Sequence, residues 1–258
     1  MNSSSRRTFL QGSAAVAGLA FHPKLWAFAS AEAPIATTTA GKISGYTEDG
    51  ICVFKSVPYG ADTAKTRFQP PMPPEKWSRM KECTRFTTMA PQLVANRGAR
   101  STSPTGNVPT SASGVPGGPS DAGVQSEDCL HLNVFTPALR DGRKRPVLCY
   151  FHGGAYNNGT VNNDLYDGRR LCHRGDVVVV TVNHRLNAFG YMYVGDLSPT
   201  YAKSGNAGQL DLVLALQWIK DNIGEFGGDP SRVLIFGQSG GGAKCATLMA
   251  TPVAHGLF

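Results

Sequence analysis

The chain has 258 residues, an apolar fraction of 41% and a net charge of +7, from 25 Lys and Arg against 18 Asp and Glu. That length holds one large domain or two small ones, and the composition is that of a globular protein rather than a disordered or fibrous one. The basic excess does not indicate nucleic-acid binding. Its densest run, Arg140-Asp-Gly-Arg-Lys-Arg145, surrounds an Asp141-Gly142 turn signal with no aromatic residue interleaved, and reads as a solvated turn.

The chain opens with Ser5-Arg-Arg-Thr-Phe-Leu-Gln11, then a mildly apolar Gly/Ala run to Phe21, then Ala27-Phe-Ala29. Those three parts in that order resemble a twin-arginine secretion signal at 1–29, cleaved after Ala29. Without Arg6, Arg7 and Lys24 the balance falls to 22 − 18 = +4. The apolar run is too short to span a bilayer, so no stable membrane anchor is expected. The leader implies the twin-arginine export machinery as a partner and a periplasmic or secreted bacterial protein. Six cysteines could pair in such a compartment, but spacing gives no connectivity. No Cys/His cluster has zinc spacing, so no metal is expected. Cys149, in an apolar run, and Cys245, in a small-residue run, read as buried thiols.

Within 30–258 the elements follow in order. Residues 35–60 give short extended runs broken by Gly41, Gly45 and Asp49-Gly50, a hairpin edge. Arg67 to Trp77 is proline-rich and cannot be helical throughout. Residues 94–126 are rich in Ser, Gly, Thr and Pro with almost no large apolar side chain, and read as a long inserted loop or lid. Leu130–Phe135 alternates like a strand. Val147–Phe151 and Val177–Val182 are continuous apolar runs, as expected of strands buried on both faces. The stretch between those two runs is polar. Leu212, Ala215, Leu216, Ile219 and Ile223 recur at helical spacing and predict a crossover helix. It stops at Gly227-Gly228-Asp-Pro230, a strand starts at Val233, and a small-residue helix is expected from Ala243 to Ala250. This alternation predicts an α/β fold with a mostly parallel sheet.

Two stretches carry chemistry. Val233-Leu-Ile-Phe-Gly-Gln-Ser-Gly-Gly-Gly-Ala243 has the strand–turn–helix context in which G-x-S-x-G presents a serine at the apex of a sharp turn. Ser239 is the candidate nucleophile. Gly237, Gln238 and Gly241 form the rest of the elbow, the two glycines because a Cβ would collide with the neighbouring strand or helix. The second stretch, Tyr150-Phe-His-Gly-Gly-Ala155, closes the Val147 strand. Its adjacent glycines let the backbone turn N–H groups towards one point, as an oxyanion hole requires. Gly153 and Gly154 are assigned to that hole, with Gly240 as the third donor. His152 beside them suits a loop-shaping hydrogen-bonder, and His184, at a strand end, reads as structural.

With these residues the chain resembles the type-B carboxylesterase (cholinesterase-like) family of α/β-hydrolases. Further matching segments are Phe54-Lys-Ser-Val-Pro-Tyr59, Arg67-Phe68, Ser126-Glu-Asp-Cys-Leu-His-Leu-Asn133, Asn183-His-Arg185, Gly205-Asn206 and Phe226-Gly-Gly-Asp-Pro230. The resemblance implies an α/β-hydrolase fold, with antiparallel N-terminal strands beside a mostly parallel sheet. It also implies hydrolysis of small-molecule esters through an acyl-enzyme on Ser239, with no cofactor. Glu127 should pair with Arg67 structurally, and Asp211 maps to structure.

The chain departs from that family in several places. Gln238 and Gly240 stand where many relatives carry Glu and Ala. Ala90 stands where many carry the disulfide partner of Cys129, leaving either a Cys83–Cys129 pair or a free Cys129. In the family, the acid and histidine of the triad follow the nucleophile. After Ser239 this sequence has no Asp or Glu and one histidine, His255, outside the matching context. The expectation is therefore the N-terminal part of a longer enzyme, inactive and poorly soluble alone, whose Val233 strand leaves an apolar edge open. The alternatives are a non-catalytic binding protein on the same fold, or a hydrolase of amide, carbamate or lactone bonds.

Overall fold

The computed structural model describes residues 32–92 and 123–258. The leader at 1–29 lies outside these residues, as does all of the 94–126 segment except 123–126.

The N-terminal strands are β1 (Ile35–Thr37), β2 (Lys42–Ser44), β3 (Tyr46–Glu48), β4 (Ile51–Pro58), β5 (Lys81–Glu82), β6 (Thr88–Met89) and β7 (Val124–Gln125). The expected hairpin edge is two hairpins in two sheets. β1 and β2 pair antiparallel in a small sheet completed by β5. β3 and β4 pair antiparallel across Asp49-Gly50, whose φ angles of 51° and 74° give the two-residue turn that matches strand twist. The segment read as one long loop to residue 126 ends in a strand instead, since β7 pairs in parallel with β6.

The chain then runs through β8 (His131–Thr136), β9 (Arg145–Phe151), α1 (Arg169–Gly175), β10 (Val178–Val182) and α2 (Asn187–Tyr191). It ends with α3 (Ala207–Asn222), β11 (Gly228–Gly237) and α4 (Gly240–Met249). The central sheet has the order β11-β9-β10-β8-β4-β3. β11 and β10 flank β9 in parallel, and β8, β4 and β3 add on antiparallel, so the sheet is mixed. Every residue of β10 is buried, which explains its apolar run; β8 is buried throughout as well, although its alternating sequence places His131, Asn133 and Thr136 inside. α3 lays Leu212, Ala215, Leu216 and Ile219 into the same core as Val147, Cys149, Phe151, Val178, Val180 and Val182. Burying each large apolar side chain contributes ~1.5–3 kcal/mol.

Two element starts and one unanticipated helix differ from expectation, each for a physical reason. β11 starts at Gly228 rather than Val233, with an irregularity between them where Pro230 has no N–H to give the ladder. α4 starts at Gly240 rather than Ala243, because close approach to β9 selects glycine over better helix formers. α1, within the polar stretch, buries only Cys172 and so leaves no apolar periodicity. Arg145 also departs from a solvated turn: it is 4% exposed, clamped by Asp141 at 2.6 and 2.8 Å and by Asp176 at 2.6 Å. The cysteines are free, with Cys83, Cys129, Cys149 and Cys172 buried and Cys245 half-buried. β11 pairs only with β9 among the described residues, and its Leu234 is 58% exposed, the open apolar edge expected. No helix among the described residues is long and apolar enough to cross a membrane.

Candidate active site

The two glycine stretches are far apart in sequence but meet because their strands are adjacent, parallel and in register. Phe151, the last residue of β9, pairs with Gly237, the last of β11. The chain therefore leaves both strands at the same end of the sheet, the end where open α/β sheets place their ligands. His152-Gly-Gly-Ala155 follows one strand and Gln238-Ser-Gly240 the other.

Ser239 sits between β11 and α4 at φ 55° and ψ −120°, a conformation an L-residue adopts only at a cost of order 1–3 kcal/mol. The strain turns its side chain out: Ser239 is exposed, and its hydroxyl makes no capping hydrogen bond to the helix it precedes. The turn closes through the Gly241 N–H to the Gln238 carbonyl at 2.9 Å. Only hydrogen fits at the flanks. A Cβ on Gly237 would lie 2.5 Å from the Gly241 carbonyl carbon, and one on Gly241 would lie 2.0 Å from the Phe151 oxygen.

The loop after β9 presses directly on this elbow. A Cβ on Gly153 would meet Gln238 Oε1 at 2.4 Å, and one on Gly240 would meet the Ala155 Cα and O at 2.5 Å and its N at 2.7 Å. Gly154, at φ 87°, and Ala155, at φ 52°, bend the loop. No acceptor among the described residues takes the N–H groups of Gly153, Gly154, Ala155 or Gly240. Unpaired backbone donors beside an exposed serine at a helix N-terminus form a site for developing negative charge. The sequence reading named three of the four donors. Ala155 was missed because nothing in its residue type advertises a left-handed backbone.

The histidines near the site are not bases for Ser239. His152 is buried, and its Nδ1–H donates to the Gly153 carbonyl at 2.8 Å. Burial, with the Lys244 charge adding to it, pulls its pKa down to about 3. His184 stacks on it at 4.8 Å between centroids, is fully buried, and is held well below the usual histidine range by the same causes. Both stay neutral and structural, as expected. Asn183 pins the neighbourhood: its Oδ1 accepts from Thr160 Oγ1 at 3.0 Å and the Val161 N–H at 2.9 Å, and its carbonyl accepts the Tyr59 hydroxyl at 2.6 Å. Arg67 donates through Nε to Glu127 Oε2 at 2.7 Å, the ion pair expected. Asp211, fully buried, takes the Arg185 guanidinium at 2.6 and 2.9 Å and the Arg185 N–H at 3.0 Å. Burial pulls the Arg185 pKa down, but the pairing with Asp211 outweighs it and the net shift is upward.

Comparison with known proteins identifies the family. The Carboxylesterase family profile matches residues 32–258. The chain belongs to the carboxylesterase family. Among curated relatives, the para-nitrobenzyl esterase of Bacillus subtilis (strain 168) is 39% identical over 225 residues, covering 87% of this chain and 42% of that protein. The cocaine esterase of Homo sapiens is 36% identical, covering 87% and 39%. Among solved structures, the Geobacillus stearothermophilus carboxylesterase EST55 superposes with a TM-score of 0.73 at 39% identity, covering 87% of this chain and 42% of that one. An esterase from Clostridium hathewayi gives 0.75 at 41%, covering 89% and 42%. This chain has the α/β-hydrolase fold and spans about two fifths of the length of these relatives.

Proposed function

We propose that this chain carries the nucleophile and oxyanion hole of a serine carboxylic-ester hydrolase. The observation that carries the reading is Ser239: exposed, strained at φ 55°, at the N-terminus of α4 and flanked by unpaired N–H groups. Its Oγ attacks the ester carbonyl carbon, and the displaced electron pair becomes an oxyanion. The N–H groups of Gly240, Gly153 and Gly154, joined by Ala155, hold that charge, and each such donor is worth on the order of 2.7–4 kcal/mol in the transition state. Collapse expels the alcohol and leaves an acyl-serine, which water cleaves to the carboxylic acid.

The Oγ proton needs an acceptor, and neither His152 nor His184 provides it. We assign the histidine and its acid partner to the portion that relatives carry beyond the matched region. Family membership and the share of those relatives covered support this. The substrate is a small-molecule ester, and the chemistry needs no cofactor or metal. The Arg6-Arg7 leader supports export by the twin-arginine route to a periplasmic or secreted location, and the first test is for a mature N-terminus at Ser30.

The function is tested on protein expressed from the complete reading frame that carries this sequence. Stopped-flow hydrolysis of a p-nitrophenyl ester should show a burst of one p-nitrophenol per Ser239, absent in Ser239→Ala. Equal hydrolysis by Ser239→Ala overturns the assignment.

A further inference from the structure

Lys244 is 0% exposed, one turn into α4 and five residues beyond Ser239. Its Nζ donates to the Ala155 carbonyl at 2.7 Å and the His152 carbonyl at 3.3 Å, and lies 5.2 Å from the Tyr156 ring centroid. No carboxylate among the described residues pairs with it. The titratable groups around it are His152, His184, Cys245 and Tyr156. A buried ammonium without a counter-ion costs several kcal/mol, far more than a methionine of similar volume would. Burial pulls its pKa down to about 8, against an opposing influence of Cys245.

What an apolar side chain could not do there is hold two carbonyls. His152 and Ala155 bracket the Gly153-Gly154 turn, and Lys244 ties both ends of that turn to the helix that begins at the nucleophile. Peptide units are planar and trans, so fixing a carbonyl fixes the opposite direction of the N–H in the same unit. The His152 carbonyl, held by Lys244, therefore sets where the Gly153 N–H points. The remaining units are set in the same manner from inside the turn. The Gly153 carbonyl accepts from His152 Nδ1 at 2.8 Å, which directs the Gly154 N–H. The Gly154 carbonyl accepts from the Asn157 and Asn158 N–H groups at 3.2 Å, which directs the Ala155 N–H. Every carbonyl from His152 to Ala155 is thus engaged, while the N–H groups of Gly153, Gly154 and Ala155 are left without acceptors among the described residues. Lys244 supplies two of those anchors from outside the turn.

We propose that Lys244 is a positioning residue that locks the His152–Ala155 turn onto the nucleophile helix and so aims its N–H groups at the oxyanion. The proposal rests on the esterase reading for its catalytic consequence, but not for the lock itself. It is tested with Lys244→Met, Lys244→Gln and Lys244→Arg in protein from the complete reading frame. The lock is read by amide exchange at Asn157 and Asn158, whose N–H groups are protected only while the turn is formed. Lys244→Met should speed their exchange at least about tenfold with α3 amides unchanged, the pattern of a local opening. The catalytic consequence is read by splitting kcat from KM: kcat should fall on the order of 10²-fold, the scale of one lost oxyanion donor, with KM within about twofold. Lys244→Arg, which can still reach a carbonyl, should recover at least a tenth of the wild-type kcat. Should Lys244→Met not fold, Lys244→Gln is judged by the same two readouts. Unchanged exchange at Asn157 and Asn158 together with wild-type kcat overturns the proposal. A wild-type protein without Ser239-dependent turnover defeats the esterase reading instead, and the exchange arm still decides the lock.

Discussion

Adjacent glycines in α4 should respond to the same substitution with opposite signs. A Cβ on Gly241 would stand 2.0 Å from the Phe151 carbonyl oxygen, 2.9 Å from its carbon and 3.1 Å from the His152 oxygen. Relieving the first contact to 3.0 Å, still a tight approach, requires 3.0 − 2.0 = 1.0 Å of movement. Phe151 cannot yield that distance, because β9 is paired on both sides, with β10 and with β11. The helix must move, and Ser239 moves with it. Overpacking of this kind costs about 1–3 kcal/mol, and a 1 Å displacement at a reacting centre can cost about 10²-fold in rate. Gly242→Ala is the matched control. Its Cβ would meet only the Gly237 oxygen, at an ordinary 3.5 Å, and alanine gains ~0.5–1 kcal/mol over glycine inside a helix. Urea unfolding of both variants gives the stability arm, and labelling of Ser239 by a fluorophosphonate gives the rate arm. Gly241→Ala should lose stability and label about 10²-fold more slowly, while Gly242→Ala should gain stability and label at the wild-type rate. A Gly241→Ala protein as stable and reactive as wild type would refute the reasoning, as would equal damage from both.

Other consequences follow from strain, buried charge and buried histidines. Ser239→Gly relieves the φ 55° backbone and should raise the unfolding free energy by about 1 kcal/mol while abolishing labelling; a loss of stability would show that the turn is not strained. Asp211→Asn leaves the guanidinium of Arg185, 1% exposed, without its charge partner and should cost about 3–5 kcal/mol in urea unfolding. A loss under about 1 kcal/mol would mean that water or a rearranged carbonyl replaces the pair. His152 and His184 are neutral when folded, with pKa values below the 6.5 expected when unfolded, so the unfolded chain binds more protons below that pH. The His152 contribution is fully present above pH 6.5 and is lost as pH falls towards about 3, at ~1.4 kcal/mol per pH unit, and His184 acts in the same direction as pH falls below 6.5. Unfolding measured across that window should show stability falling with pH, and His184→Gln should make the fall shallower; a flat profile would contradict the buried neutral assignment.

How much of this was legible in the sequence depends on how local each determinant is. The elbow was legible because its requirements fall within five residues: a strand, two glycines where backbone touches backbone, and a serine between them. β10 was legible because burial on both faces leaves an apolar run, whereas β9 reads just as apolar although every second residue is only half-buried. Where a distant partner decides, the sequence misleads. Gly240 and Gly241 are poor helix formers, yet contact with Ala155 and β9 excludes anything larger at those two positions and the helix starts there regardless. Lys244 and Arg145 carry charges that ordinarily face water, but each is buried by carbonyls or carboxylates from other segments of the chain. No period or spacing within α4 could reveal that the Lys244 ammonium meets a loop following β9. The Arg67–Glu127 pair was visible only through family resemblance, since a separation of 60 positions leaves no local signal.

The most direct test of the central claim is the site of covalent modification. Protein from the complete reading frame would be treated with a fluorophosphonate and its peptides mapped by mass spectrometry. The account predicts a single stoichiometric adduct on the Ser239 Oγ, blocked beforehand by an ester substrate. An adduct on any other residue in an active enzyme, or ester hydrolysis that survives complete modification of Ser239, would contradict it.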